Sequence, residues 1–246
     1  MIIQKVEEAA KGAGIKAILH GEAGSGKTYS ISTIPEPESV LILSAEAGLM
    51  SIRDNAKGMD VIVIKKIDDL REAFEFLRSD EKAKKYKTVV LDSLSEIAQQ
   101  VLTAERGGKG LEFSSVGNSM AATKAVDGRA VYGNMAERVI NLIKAFRDLE
   151  GMNVILICQQ VRIQDESGRM YYGPSMPGKQ VGPAIPYLTD LVFALRIRPN
   201  PETGELERMF QTSKLANEMY ESKTRRGALD MMEPPHWGNI FNKING

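Results

Sequence analysis

The stretch IKAILHGEAGSGKT, residues 15–28, decides how the rest of the chain is read. Its first six residues are a short run of strand length, apolar toward both faces, as a strand buried inside a parallel sheet is. The next eight, Gly21 to Thr28, fit the spacing G-x-x-x-x-G-K-T. Glycines let the backbone curl until successive N–H groups face one point, and a following helix adds the positive end of its dipole. Such a loop cradles a nucleotide β-phosphate, with Lys27 reaching the β- and γ-phosphates and the Thr28 hydroxyl on Mg²⁺. The expected cofactors are ATP and Mg²⁺. The expected nucleotide-binding set is Gly21, Glu22, Ala23, Gly24, Ser25, Gly26, Lys27, Thr28 and Tyr29.

Working outward, SVLILS (39–44), DVIVI (60–64), KTVVLD (87–92) and NVILIC (153–158) repeat the pattern of the first strand. Between them, residues 68–85 and 131–151 carry helical spacing, the second ending at Gly151 as helices often do. TDLVFALRIR (189–198) and ELERMFQT (205–212) flank the turn NPETGE and read as an antiparallel hairpin. The expectation is one α/β domain over residues 1–246: a mostly parallel central sheet with helices on both faces and a C-terminal antiparallel hairpin extension. Two segments, 103–130 and 161–186, are rich in small residues, glycine and proline and show no clear period; long stretches of that kind inside a compact domain are functional or disordered.

Composition narrows the classes. Lys+Arg and Asp+Glu are both 32 in 246 residues, so no whole-protein basic field is available for nucleic acid and any such binding must use local clusters. One cysteine, Cys158, excludes an internal disulfide, and two histidines, His20 and His236, leave nothing like a zinc site. No apolar run approaches a membrane span and the start lacks a signal peptide's apolar core, so a cytoplasmic protein with no membrane partner is expected.

The metal-side acid is expected at Asp92, which follows Val89, Val90 and Leu91 at the tip of a neighbouring strand and can face Thr28 across Mg²⁺. Serine, not an acid, follows it. The best candidate base is then Glu46, at the end of LILSAE: the carboxyl ends of parallel strands converge on the ligand crevice, and a carboxylate there can orient a water and accept its proton.

Together these pieces resemble the RecA/RadA core of P-loop ATPases, over roughly residues 13 to 226. LSAEAGLMSI is similar to the stretch that carries that family's catalytic glutamate, and LDSLSEI has its serine after the metal acid. ILICQQVRIQ is similar to the strand that ends in a γ-phosphate-sensing glutamine, which implies Gln160 as the sensor and Gln159 as second choice. The style is closest to the short phage-encoded RecA-core proteins of single-strand annealing and recombination. Their ending resembles ESKTRRGALDMMEPPHWGNIFNKI, which implies that Lys223 and Arg225, in a tail over 213–246, reach a neighbouring subunit's nucleotide. By the same resemblance, 103–130 and 161–186 are DNA-binding loops. Arg106, Lys109, Lys124 and Arg129 would serve in the first, Arg162, Arg169 and Lys179 in the second. The implied protein is a DNA-dependent ATPase that binds single-stranded DNA and assembles as a filament or ring, with a single-strand-binding protein as a further partner. Unlike RecA, the chain has only about fourteen residues (1–14) before the first strand, so self-association is expected to use other surfaces, such as Ile2 and Ile3 packing on a neighbour. The alternative is a nucleotide switch that drives assembly with a protein partner and never touches DNA.

Overall fold

The first strand, β1 (Lys16–Gly21), is buried at every position, as a central strand with covered faces must be. The computed structural model describes residue 5 and the segments 13–46, 48–106, 128–164, 167–214, 219–225 and 227–246. After β1 come α1 (Lys27–Ile31), β2 (Val40–Ser44), β3 (Asp60–Val63), α2 (Ile67–Ser79), β4 (Thr88–Asp92), α3 (Leu94–Glu105), α4 (Gly128–Arg147) and β5 (Asn153–Gln164). The second half holds β6 (Met170–Pro174), α5 (Val181–Leu188), β7 (Leu191–Pro199), β8 (Leu206–Gln211), β9 (Lys223–Thr224), β10 (Met232–Glu233) and α6 (Trp237–Asn245).

The strands form one sheet in the order β10-β8-β7-β1-β5-β4-β2-β3, with β6 added to β5 and β9 to β7. From β7 to β3 every neighbouring pair is parallel. β8 and β10 extend that sheet antiparallel. Strand alternation divides the core. Ile18, Leu43, Leu91 and Leu156 pack under α2 to α5, whereas Leu19, Ile42, Val90 and Ile157 pack under α1 and α6. The α/β class with a parallel centre and a hairpin extension is therefore as expected.

Several boundaries differ from the sequence reading. DVIVI is not buried on both faces: β3 is the sheet edge, and Val61 and Val63 are 46% and 54% exposed. The helical run 68–85 is two elements, because Asp80 takes an extended backbone and its carboxylate accepts from Lys82 N at 2.8 Å, starting a 3₁₀ turn over Glu81–Lys85. The second helix begins at Gly128 and ends at Arg147, with Gly151 in a left-handed turn beyond it. Segment 161–186 has regular structure: β5 runs on to Gln164, pairs antiparallel with β6, and α5 follows. Beyond Cys158 that strand leaves the core, so its sequence turns polar while its backbone stays extended. Of segment 103–130, residues 103–105 end α3 and 128–130 open α4; residues 107–127 lie outside the described residues, as do Ile2 and Ile3.

The described part of the expected tail, 213–246, packs into the fold. β9 and β10 join the sheet, and Trp237 is fully buried with the rings of Phe210, Phe193 and Phe241 at 5.3, 5.8 and 6.0 Å. Its indole N–H donates to Ser30 Oγ of α1 at 3.2 Å, so the C-terminal helix braces the helix that follows the glycine loop. Trp237→Ala is therefore expected to cost about 3–5 kcal/mol, the usual range for emptying a large aromatic site. Equilibrium denaturant unfolding measures it; a change below about 1 kcal/mol would mean that α6 is dispensable.

Candidate active site

Gly26, with φ 101, turns the chain from β1 into α1. α1 is only five residues long, so the curled loop itself, more than a helix dipole, supplies the N–H groups that can face a phosphate. The Lys27 amine lies inside the curl, donating to Gly21 O at 2.9 Å and Glu22 O at 2.8 Å. Burial lowers its pKa, and Glu46 and Asp92 oppose that shift.

The Thr28 hydroxyl donates to Asp92 Oδ2 at 2.8 Å. Both side chains offer hard oxygens. Asp92 is 3% exposed, and burial raises its pKa. A buried carboxylate short of compensating charge beside a hydroxyl is a donor set that suits Mg²⁺. Gly48 lies against the pair: a Cβ there would meet Thr28 Oγ1 at 3.2 Å and Asp92 Oδ2 at 3.8 Å, so a side chain would crowd the metal side of the site.

β2 and β4 are neighbours, and their ends are tied together. The Asp92 carbonyl accepts from Ala45 N at 2.7 Å and Glu46 N at 3.3 Å. The Glu46 carboxylate accepts from the Ser93 hydroxyl and, at 2.9 Å, from Gln159 Nε2, both at Oε1. Lys27, Glu46 and Asp92 are thus within electrostatic reach of one another, and the structure gathers the expected base, the expected metal acid and the lysine at one crevice.

The two candidate glutamines are placed differently. Strand alternation sets Gln159 and Gln160 on opposite faces of β5, and it is Gln159 that reaches Glu46. Gln160 turns toward the buried His20, and its side chain opposes the burial-driven fall of the imidazole pKa. His20 Nε2 lies 2.7 Å from the Glu221 carbonyl and so donates to it, and burial pushes the imidazole pKa down to about 4. The backbone of Gln159 is anchored as well: its N–H donates to Ser95 Oγ at 2.9 Å, its carbonyl accepts from Ser175 N at 2.7 Å, and Ser95 Oγ donates to Ser175 O.

Lys223 and Arg225 both make contacts within the chain. Lys223 pairs with Val192, itself beside Ile18, three residues before Gly21 and so roughly 10 Å down the strands from the loop. Its amine donates to the carbonyls of Pro186 and Thr189, closing the end of α5. Arg225 pairs with Asp190 at 3.3 Å. Both therefore have partners within the chain, because β9 is a strand of this sheet rather than a free arm.

Arg208 carries no local signal of a role at the site. It stands in β8 at an ordinary alternating position, yet its Nε donates to Ser25 O of the glycine loop at 3.0 Å. Only the hairpin's return onto β7 carries it there. Ser93 carried a partial signal, since it follows the metal acid; its second role, accepting from Glu96 N at 3.3 Å to cap α3, is also ordinary for serine.

A parallel sheet whose central strand runs into a phosphate loop, with a hydroxyl–carboxylate pair and a held glutamate at the neighbouring strand ends, defines a P-loop ATPase core. Residues 13–226 match the family model described as AAA domain, and the chain belongs to that family. No curated protein matches it. Among solved structures, the KaiC-like protein PH0186 from the hyperthermophilic archaeon Pyrococcus horikoshii OT3 is similar at 15% identity, over 86% of this chain and 83% of that one, with a TM-score of 0.41. No helix among the described residues is long and apolar enough to cross a membrane.

Asp92 generates a stability prediction. An acid whose folded pKa is raised binds more protons folded than unfolded, so it costs stability as pH rises above its unfolded value. Asp92→Asn is expected to raise the melting temperature of the nucleotide-free protein at pH 7, by about 2–4 °C for each kcal/mol relieved at this chain length. The gain should shrink as pH falls toward the ordinary carboxylate range. A variant that melts below wild type at pH 7 would show that the charge is already compensated.

Proposed function

We propose that this chain is an Mg²⁺-dependent ATPase whose nucleotide state governs binding of single-stranded DNA, serving strand annealing or recombination. Loop N–H groups and Lys27 hold the phosphates, and Thr28 and Asp92 hold Mg²⁺, which would neutralise phosphate charge. Glu46 orients a water in line with the γ-phosphate and takes its proton. Both donors on its carboxylate address Oε1, and Oε2 is the oxygen assigned to that water.

The observation that carries the coupling is Gln159. Its side chain holds Glu46, while its carbonyl and Ser95 hold the backbone of Ser175 at the start of the segment leading to Lys179. A change at the γ-phosphate end is thereby one residue from the base of the second candidate loop. A cavity of about 560 Å³ lies there, lined by Lys179 with Tyr132 and Arg129 of α4. Arg106, at the root of the first candidate loop, donates to Tyr132 Oη at 2.8 Å and stacks on that ring. Cations and an aromatic face from both loop roots in one place suit a single strand, whose phosphates and bases they can address separately. Lys109 and Lys124 fall outside the described residues. With few cations per chain, useful affinity requires several copies aligned on one strand, so a homo-oligomer is part of the proposal.

Glu46→Gln is expected to lower ATP hydrolysis by ~10²–10⁴ while ATP binding persists. Fluorescence anisotropy of a labelled oligonucleotide is expected to show tighter binding with Mg²⁺ and a non-hydrolysable ATP analogue. Binding should weaken with salt by ~0.7 log–log units per phosphate neutralised. Gln159→Ala should abolish the nucleotide dependence and Gln160→Ala should preserve it. Binding indifferent to nucleotide, or absent at low salt, would instead favour a switch that assembles with a protein partner.

A further inference from the structure

A cavity of about 650 Å³ lies between α5, β6 and residues 219–224, which end in β9. None of its described lining residues belongs to the phosphate crevice. Its main wall is α5, VGPAIPYL, whose eight residues carry no charge. Val181 and Ile185, four apart, are fully buried in the core. Pro183, Pro186 and Tyr187, at spacings i, i+3 and i+4, form a second stripe, and this one faces the cavity. A helix apolar on all sides is ordinarily enclosed. Tyr187 is nevertheless 81% exposed, and Met219 in the same lining is 42% exposed. Two large apolar side chains in one concavity are thus left in water, which marks a surface that something covers.

We propose that this cavity docks an acidic peptide of a partner protein, with an apolar side chain against Tyr187, Pro183 and Met219 and flanking carboxylates on the cations of the lining. The chain as a whole is neutral, with 32 charges of each sign, so the local balance decides which charge is attracted. Among the described residues the lining holds Arg169, Lys214 and Lys223 against one carboxylate, Glu221. Lys214 pairs with Glu221 at 2.9 Å, but its side chain is 61% exposed, and an ammonium with three donors can take a second carboxylate. Glu221 disfavours a nucleic-acid strand, which must place a phosphate at every step, whereas a peptide carries its charges at chosen positions. Both walls are set before anything binds. Lys223 ties the end of α5 through the carbonyls of Pro186 and Thr189, and proline fixes its own backbone. Opposite, Tyr172 N donates to the Met219 carbonyl, and Glu221 N donates to the Tyr172 carbonyl at 2.7 Å. A preformed pocket loses little freedom on binding, and tyrosine is among the side chains that anchor interfaces.

The probes are fluorescein-labelled synthetic peptides with three glutamates before or after a leucine–phenylalanine pair. The controls are the same peptides with lysine for glutamate or serine for the apolar pair, and a labelled oligodeoxythymidylate. Anisotropy titration of the full chain should show a glutamate peptide bound about tenfold or more tightly than either peptide control. Tyr187→Ala and Lys214→Ala should each weaken that binding by about tenfold, the scale of an interface anchor, and leave ATP hydrolysis unchanged. Should Lys214→Ala melt early for want of its pair with Glu221, Tyr187→Ala still decides. No binding of either glutamate peptide, equal binding of the lysine version, or indifference to Tyr187→Ala would overturn the proposal. So would preference for the oligodeoxythymidylate, lost in the same two variants, which would make the groove a single-strand surface. Docking here requires no nucleotide, so its failure leaves the ATPase reading untouched.

Discussion

The site depends on one buried residue. Asp92 ends β4 with its carboxylate on the Thr28 hydroxyl and its carbonyl on the N–H groups of Ala45 and Glu46. Through that single residue the phosphate loop, the end of β2 and the end of β4 are held in fixed relation. The arrangement stores an unfavourable term, since a nearly fully buried carboxylate is retained with its pKa raised by desolvation. A cation bound there would offset that term, as any ligand that binds only the folded state stabilises it.

Around this point the hydrogen bonds run outward in one direction. Glu46 is gripped by Ser93 and Gln159; Gln159 is gripped by Ser95 and Ser175; and Ser175 begins the segment that meets α4 at Lys179, Arg129 and Tyr132. Each link is short and most are part-buried, so a shift at one is resisted by the next. That makes a physical route between a phosphate and a surface roughly a strand's length away. Coupling along it needs two states with different contacts. The opposite side of the sheet is used differently: α6 and Trp237 seal the core under α1, and the hairpin brings Arg208 back onto the loop.

Much of this was legible beforehand because it rests on local or periodic signals. The glycine loop has a fixed spacing, the buried parallel strands are uniformly apolar, and a lone acid at a strand end reads as a site residue. Lys27, Thr28, Asp92 and Glu46 all belong to that class. The misread stretches share a different feature. β5 beyond Cys158, β6 and α5 are half-exposed and carry glycine and proline, so their composition resembles a loop even though long-range pairing makes them regular. β9 and β10 are two residues each, too short for any period to register.

The sequence alone determined the order of the apolar core strands, the phosphate loop and the acids at the strand ends, because each follows from spacing along the chain. Only the tertiary structure decided which of two adjacent glutamines serves Glu46, since both have the same chemistry and strand alternation relative to the neighbouring strand ends selects Gln159. It likewise decided that Lys223 closes α5, that Arg225 pairs with Asp190, and that Arg208 reaches the phosphate loop. Those side chains meet partners tens to hundreds of residues away, and which partner each finds depends on sheet order and register, information carried by the packing of the whole core and by no local pattern.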